Sequence, residues 1–391
     1  MKNKNISAYV AEIINYVAKY GDRALMSMTL KYDGIKLTQN TILVDQKVIL
    51  SSDKGIDAGL KKALDSAYKN VYNFHKAENS FIKRRWSMHS DGVLCGQFFT
   101  PIESVGLYVP GGRFSYPSTV IMSAVPARIA GVSNIVIATP AKSITPALLY
   151  AAKLCKINTI YKVGGPAAIA ALAIGTKTIA KVDFIAGPGN MFVNEAKRQL
   201  FGKVGIDSLA GPSEVVIVAD EKSNVDFIVA DICAQAEHDP QAKAYLISDS
   251  KNIISLVKKQ LTSNISRQTE FIYAKDCDFA KLINNIAPEH LEIMTKKPNK
   301  IFAQVKNAGA VFVGSSTPTV FGDYFAGPSH VLPTGACAKF SSGLSVLTFL
   351  KRSSFSNYSI KSAKKSAPLV AEIAKAEGLV EHANSALLRG K

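Results

Sequence analysis

The amino-acid sequence predicts an α/β fold built on two doubly wound parallel sheets, and three observations carry that expectation. The chain has 391 residues, which at about 150 residues per domain is too many for a single core. Short apolar runs alternate with helical patterns in two successive arrays, as in parallel sheets covered on both faces by helices. Glycine clusters stand where several of those runs end, which is where an α/β fold turns from strand to helix beside a ligand.

Taken in order, the first hundred residues read as helical. Ser7 caps an amphipathic segment through Tyr20 that stops at Gly21, and a second helical pattern covers residues 59–77. The first array follows, with strands expected at 105–109, 135–138, 159–163 and 182–186 and helices at 118–130, 145–156, 167–174 and 190–200. The second array places strands at 215–219, 244–247, 271–273, 291–294 and 310–313, separated by helices at 225–237, 253–261, 279–285 and 301–307. From about residue 345 the pattern becomes helical and lysine-rich. That tail is too small to fold alone, so it is expected to dock on another domain or another subunit. The expected domains are residues 1–104 with 214–344, residues 105–213, and the tail 345–391.

Apolar residues make up 47% of the chain and charged residues 20%, a globular rather than a disordered composition. No apolar run approaches the roughly 18 residues of a membrane-spanning helix. Glu12, Asn15 and Lys19 interrupt the stretch that a secretory signal would keep apolar, so a cytoplasmic location is expected. Cys95, Cys155, Cys233, Cys277 and Cys337 lie far apart without a C-x-x-C pair and read as buried thiols, not as a disulfide framework or cysteine zinc site. The net charge of +17 would suit nucleic acid. Only nine of the 47 basic residues are arginine, however, and the longest basic run is Lys83-Arg84-Arg85. Scattered lysine offers no recognition motif, and no nucleic-acid partner is expected.

The chemistry is concentrated in a few segments. Val109-Pro110-Gly111-Gly112, Val163-Gly164-Gly165-Pro166 and Gly187-Pro188-Gly189-Asn190 could admit a phosphate to a helix N-terminus or could be structural turns; none matches G-x-G-x-x-G. Gln235 and His238 are three apart near the end of an expected helix, on one face, and could reach one ion. Glu289 and His290 place a carboxyl beside an imidazole before an expected strand, either an acid–base pair or a loop ion pair. Asp323 and His330 share a glycine-rich loop, and Glu377 and His382 lie in the tail.

Together these segments resemble the histidinol dehydrogenase family. The resemblance rests on Gly106-Leu107-Tyr108-Val109-Pro110-Gly111-Gly112, Gly187-Pro188-Gly189-Asn190, Ala210-Gly211-Pro212-Ser213-Glu214 and Gln235-Ala236-Glu237-His238. It continues through Ala287-Pro288-Glu289-His290-Leu291, Gly322-Asp323-Tyr324, Ser329-His330-Val331-Leu332-Pro333-Thr334, and Glu377-Gly378-Leu379 followed by His382. The resemblance implies two Rossmann-like domains in a domain-exchanged homodimer that oxidises L-histidinol to L-histidinal and then to L-histidine, with two NAD consumed. It implies one Zn2+ per subunit on Gln235, His238, Asp323 and His382, the last from the partner's tail; that nitrogen and oxygen donor set also accepts manganese or cobalt. His290 is then the base in both oxidations, and Glu289 activates the water that hydrates the aldehyde. Ser213, Glu377 and His330 contact substrate, together with His290 and the four zinc ligands; Tyr108 and Asn190 contact NAD. One departure is Ala167, where the family has a glutamine that hydrogen-bonds the cofactor, a loss of about 0.5 to 1.5 kcal/mol. The competing enzyme reading is a sister dehydrogenase acting on another polar alcohol, such as a sulfonated diol.

Overall fold

The structure is a computed structural model that describes residues 5–111, 115–238 and 240–391. Strands β1 (Arg85–Ser90) and β2 (Val93–Pro101) form an antiparallel hairpin. Asp91 and Gly92 turn it with φ of 51° and 76°, the pair of positive dihedrals that favours Asp-Gly. A parallel sheet follows from β3 (Ser104–Tyr108), β4 (Asn134–Ala138), β5 (Ile160–Tyr161), β6 (Phe184–Ala186) and β7 (Gly205–Ile206), in the order β5-β4-β3-β6-β7. A second parallel sheet is built from β8 (Glu214–Ala219), β9 (Lys243–Ser248), β10 (Thr269–Tyr273), β11 (His290–Ile293) and β12 (Ala310–Val313), in the order β10-β9-β8-β11-β12. In each sheet the strand first in sequence lies at the centre. Strand β13 (Leu350–Tyr358) returns antiparallel to β2.

Burial explains why strands this short hold together. All six residues of β8 are buried. Val215, Ile217 and Ala219 enter one apolar cluster with Ile228, Ile232 and Val257, while Val216 and Val218 enter another with Phe279, Ile283 and Ile301. Alternation along the strand therefore feeds two cores, one under each helical layer. The first sheet packs Val136, Ala138 and Ile185 with residues of the helices Ile6–Tyr20, Gly165–Ile174 and Met191–Leu200.

Contacts divide the chain into two compact units: the chain up to Asn79 with Ile102–Phe349, and Ser80–Pro101 with Leu350–Lys391. Several sequence expectations need correction. The first hundred residues are not wholly helical, since they hold β1 and most of β2, and Asn5, not Ser7, caps the first helix. The tail is not wholly helical, because β13 precedes the helices Ile360–Ala376 and Val380–Leu388; its mostly exposed sequence has no apolar alternation and becomes strand by pairing with β2. The helix expected at 301–307 is the short turn Pro298–Phe302, started by a proline at its first position. Of the five cysteines only Cys155 is buried, and Cys277 is exposed. No helix among the described residues is long and apolar enough to cross a membrane.

Candidate active site

In the second sheet the expected residues gather at the amino ends of strands, not at the carboxyl ends where open α/β sheets usually bind ligands. Ser213 immediately precedes β8 and Glu214 opens it, while Glu289 immediately precedes β11 and His290 opens it, with His290 opposite Val215 of β8 and Ala310 of β12. The carboxyl end of β7 connects directly to this edge through residues 207–213. Local backbone sets the approach to β11. The helix Phe279–Ile286 ends at Ala287, which sits at φ 51° and donates its N–H to Ile283 O at 2.7 Å. Ala310 N donates to Glu289 O and Gly309 N to Pro288 O, both at 2.9 Å. A Cβ on Gly309 would lie 2.6 Å from Glu289 O, so only glycine lets the two segments come this close.

Glu289 and His290 are 6% and 5% exposed. His290 Nδ1 stands 3.9 Å from Glu289 Oε2, and its Nε2 stands 3.6 Å from Asp323 Oδ1. Both distances exceed hydrogen-bond length, and neither ring nitrogen has a hydrogen-bond partner among the described residues. An imidazole buried between two carboxyls in this way is poised to exchange a proton with a third group. Burial pushes Glu289 up to about 7, and the neighbouring His290 charge offsets only part of the rise. For His290, burial disfavours the imidazolium, but Glu289 and Asp323 outweigh it and the net direction is upward. Glu289 Oε2 accepts from Glu214 N at 3.1 Å, and Glu214 Oε1 accepts from Gly335 N at 3.0 Å.

Asp323 belongs to the helix Thr319–Tyr324. Its backbone oxygen is 2.8 Å from His330 Nδ1, and because a carbonyl only accepts, Nδ1 carries the proton. His330 Nε2 then accepts from Thr119 Oγ1 at 3.3 Å. Thr119 lies on the helix Pro117–Ala130 that follows β3, and Gly211 N donates to Thr334 Oγ1. These two bonds tie the loop carrying His330 to the first sheet and to the segment carrying Ser213.

Two residues that sequence reasoning missed underlie this site. Glu292 shares the His290 face of β11, is 1% exposed, and accepts from Thr319 N at 2.5 Å and Thr319 Oγ1 at 2.6 Å. Its other oxygen has no hydrogen-bond partner among the described residues, and the nearby charge of Asp231, one turn before Gln235 on the helix Val225–His238, acts on it. Burial, then the Asp231 charge, pushes Glu292 up to about 7, and burial raises Asp231 as well. A buried carboxyl beside a second acidic group is favoured in its neutral form. The signal in the sequence was one glutamate inside the otherwise apolar run Leu291–Met294.

Gln235 is buried, and its Nε2 has no partner among the described residues. Turned over, the carboxamide would present its oxygen there, the atom that ligates a cation. His238 ends its helix, but its side chain and Asp239 lie outside the described residues. Glu377 and His382 are exposed on the second unit. Among the described residues no three His, Cys, Asp or Glu side chains gather as a metal site. The expected set fits a cation in its donor chemistry: Gln235 and Asp323 offer oxygen and His382 offers nitrogen.

At the first sheet, Tyr108 ends β3 buried, and its hydroxyl accepts from Gly165 N at 3.0 Å. Burial pushes the phenol up to about 12, so it stays neutral. Asn190 is exposed and caps the helix Met191–Leu200, its Oδ1 accepting from Phe192 N at 3.1 Å and Val193 N at 3.2 Å. Ala167 is buried in the apolar core of the first sheet. Gly112, in the first glycine cluster, lies outside the described residues.

A parallel α/β scaffold that buries a carboxyl and an imidazole side by side, facing a second carboxylate, defines an enzyme working by proton transfer. The comparisons with known proteins narrow that class. The histidinol dehydrogenase family model matches residues 1–390. Histidinol dehydrogenases of Thermosynechococcus vestitus and Listeria monocytogenes are 44% and 43% identical, each alignment covering 98% of this chain and 92% and 93% of those proteins. The crystal structure of histidinol dehydrogenase from Elizabethkingia anophelis superposes with a TM-score of 0.91 at 33% identity, covering 100% of this chain and 93% of that one. The chain belongs to the histidinol dehydrogenase family of oxidoreductases.

Proposed function

We propose that this protein performs the last two oxidations of histidine biosynthesis in the cytoplasm, taking L-histidinol through L-histidinal to L-histidine while two NAD are reduced. The observation that carries the reading is the buried Glu289–His290 pair beside Asp323, in a chain that the family matches from end to end. The strand orders, each with its first strand central, support two Rossmann-like halves. Residues 105–213 would hold the cofactor, residues 1–104 with 214–344 the metal and catalytic groups, and residues 345–391 would reach a partner subunit. Ile360, Leu369, Ile373, Val380 and Leu388 expose apolar surface on the tail helices, which a domain-exchanged homodimer would cover.

Gln235, His238, Asp323 and His382 of the partner subunit would hold Zn2+, which when bound fixes the imidazole and amine of the substrate. His290 accepts the hydroxyl proton at a ring nitrogen as hydride leaves the carbinol carbon for NAD. Glu289 takes a proton from the water that hydrates the aldehyde, and His290 accepts the hydrate's proton as the second hydride leaves. Ser213, His330 and Glu377 bind the substrate, His330 with its tautomer fixed by the Asp323 carbonyl. Tyr108 and Asn190 hold the dinucleotide. The deciding experiment is stoichiometry: two NADH form per histidinol, a chelator abolishes the reaction and zinc restores it. Turnover of a sulfonated diol alone would reject the assignment.

A further inference from the structure

Among the described residues Lys197 is the largest side chain wholly withdrawn from solvent, at 1% exposure, and nothing in the reaction uses it. It lies on the helix Met191–Leu200, two turns beyond Asn190. Its Nζ donates to Gly187 O at 2.6 Å and to Asp207 Oδ1 at 2.7 Å. Asp207, whose side chain is 4% exposed, accepts from Gly187 N on its other oxygen at 2.7 Å and from Ser208 N at 2.7 Å. One ion pair thus engages both backbone groups of a single glycine. Asn194, between Asn190 and Lys197 on the same helix face, donates to Gly189 O at 2.9 Å and to Ala210 O at 2.7 Å.

We propose that Lys197 and Asp207 are positioning residues that clamp the 187–190 loop and thereby set the affinity for NAD. The proposal rests on the reading that this loop holds the dinucleotide. The chain leaves β6 at Gly187 with φ of 116°, so close to Tyr108 that a Cβ would lie 2.1 Å from Tyr108 O. Beyond the strand the buried N–H and C=O of Gly187 need partners from elsewhere. A buried ion pair is seldom a stability device, since apolar residues of like volume often serve as well. Apolar residues cannot donate to the carbonyl and accept from the amide of one residue at once, and this pair does both. Because Asp207 follows β7, the same pair also fixes the start of the segment leading to Ser213.

The test is Lys197→Met combined with Asp207→Leu, which removes the clamp without leaving an unpaired buried charge. The KM for NAD and the NADH dissociation constant, read by NADH fluorescence, should rise about tenfold or more. The KM for histidinol should rise by clearly less, the unfolding midpoint should fall because Gly187 loses both partners, and amide exchange across residues 184–194 should quicken. If the double variant does not fold, Lys197→Met combined with Asp207→Asn, which leaves no buried charge and keeps an oxygen for Gly187 N, should shift the same NAD constants in the same direction by less. Unchanged nucleotide binding in a folded variant overturns the proposal. So does equal weakening toward NAD and histidinol, the mark of a merely structural role. A wild-type control that neither binds NADH nor reduces NAD means the cofactor reading itself has failed; faster exchange in the variant then shows a clamp with no nucleotide role.

Discussion

Replacing Glu292 by glutamine should remove a pH dependence of stability that the wild-type chain carries. The glutamate has an ordinary value of 4.5 and is pushed to about 7 in the folded protein. Between those limits the folded state holds a proton that the unfolded chain has released. The contribution is therefore fully present below the lower value and is lost as pH rises through the upper one, at about 1.4 kcal/mol per unit, or about 3 kcal/mol in all. The glutamine keeps an oxygen for the two Thr319 donors and cannot ionise, so the site stays neutral at every pH. Urea unfolding at about pH 5 and about pH 8, followed by circular dichroism, should show the wild type losing about 3 kcal/mol more than the variant. The raised carboxyls of Glu289 and Glu214 titrate in both proteins and cancel in the comparison. Parallel curves for the two proteins would refute a Glu292 carboxyl kept protonated by its burial.

His290→Asn should slow both oxidations by about 10²–10⁴-fold, while Glu289→Gln should chiefly slow the oxidation of histidinal; steady-state assays started from each substrate separate the two, and equal losses in Glu289→Gln would be the contrary result. If His382 serves the neighbouring subunit, mixing inactive His290→Asn and His382→Asn homodimers under exchange should restore about a quarter of wild-type turnover, because half the dimers then carry one complete site. Gly309→Ala should destabilise the protein by about 1–3 kcal/mol in urea unfolding, through the clash with the Glu289 carbonyl. Ala287→Gly should instead stabilise it by about 0.5–1 kcal/mol, since Ala287 occupies a left-handed conformation that glycine adopts without strain.

The elements that bury both faces were the easiest to read from sequence. The run 215–219 has no polar residue and is β8 almost to the residue, and Asn190 is the expected helix start and does cap its helix. The hairpin β1–β2 was missed although Asp91-Gly92 is a turn signal, because β1 is exposed, the more apolar β2 is half-buried almost throughout, and neither shows a period of two. Strand β13 was missed for the same reason: only its partner makes it a strand. The adjacent pair Glu289 and His290 was legible as a unit. Asp231, Glu292, Lys197 and Asp207 were not, because a buried charge is recognisable only once a distant residue is seen to answer it.

The smaller unit draws β2 from the first quarter of the chain and β13 from near its end. During synthesis the hairpin emerges about 250 residues before the strand that completes its sheet, a delay on the order of 10–50 s at typical ribosomal speed. Throughout that interval β2 offers an open backbone edge to any passing nascent polypeptide. The part of the molecule with the fewest residues is thus the last to close, and it is where misassembly in a crowded cell should begin.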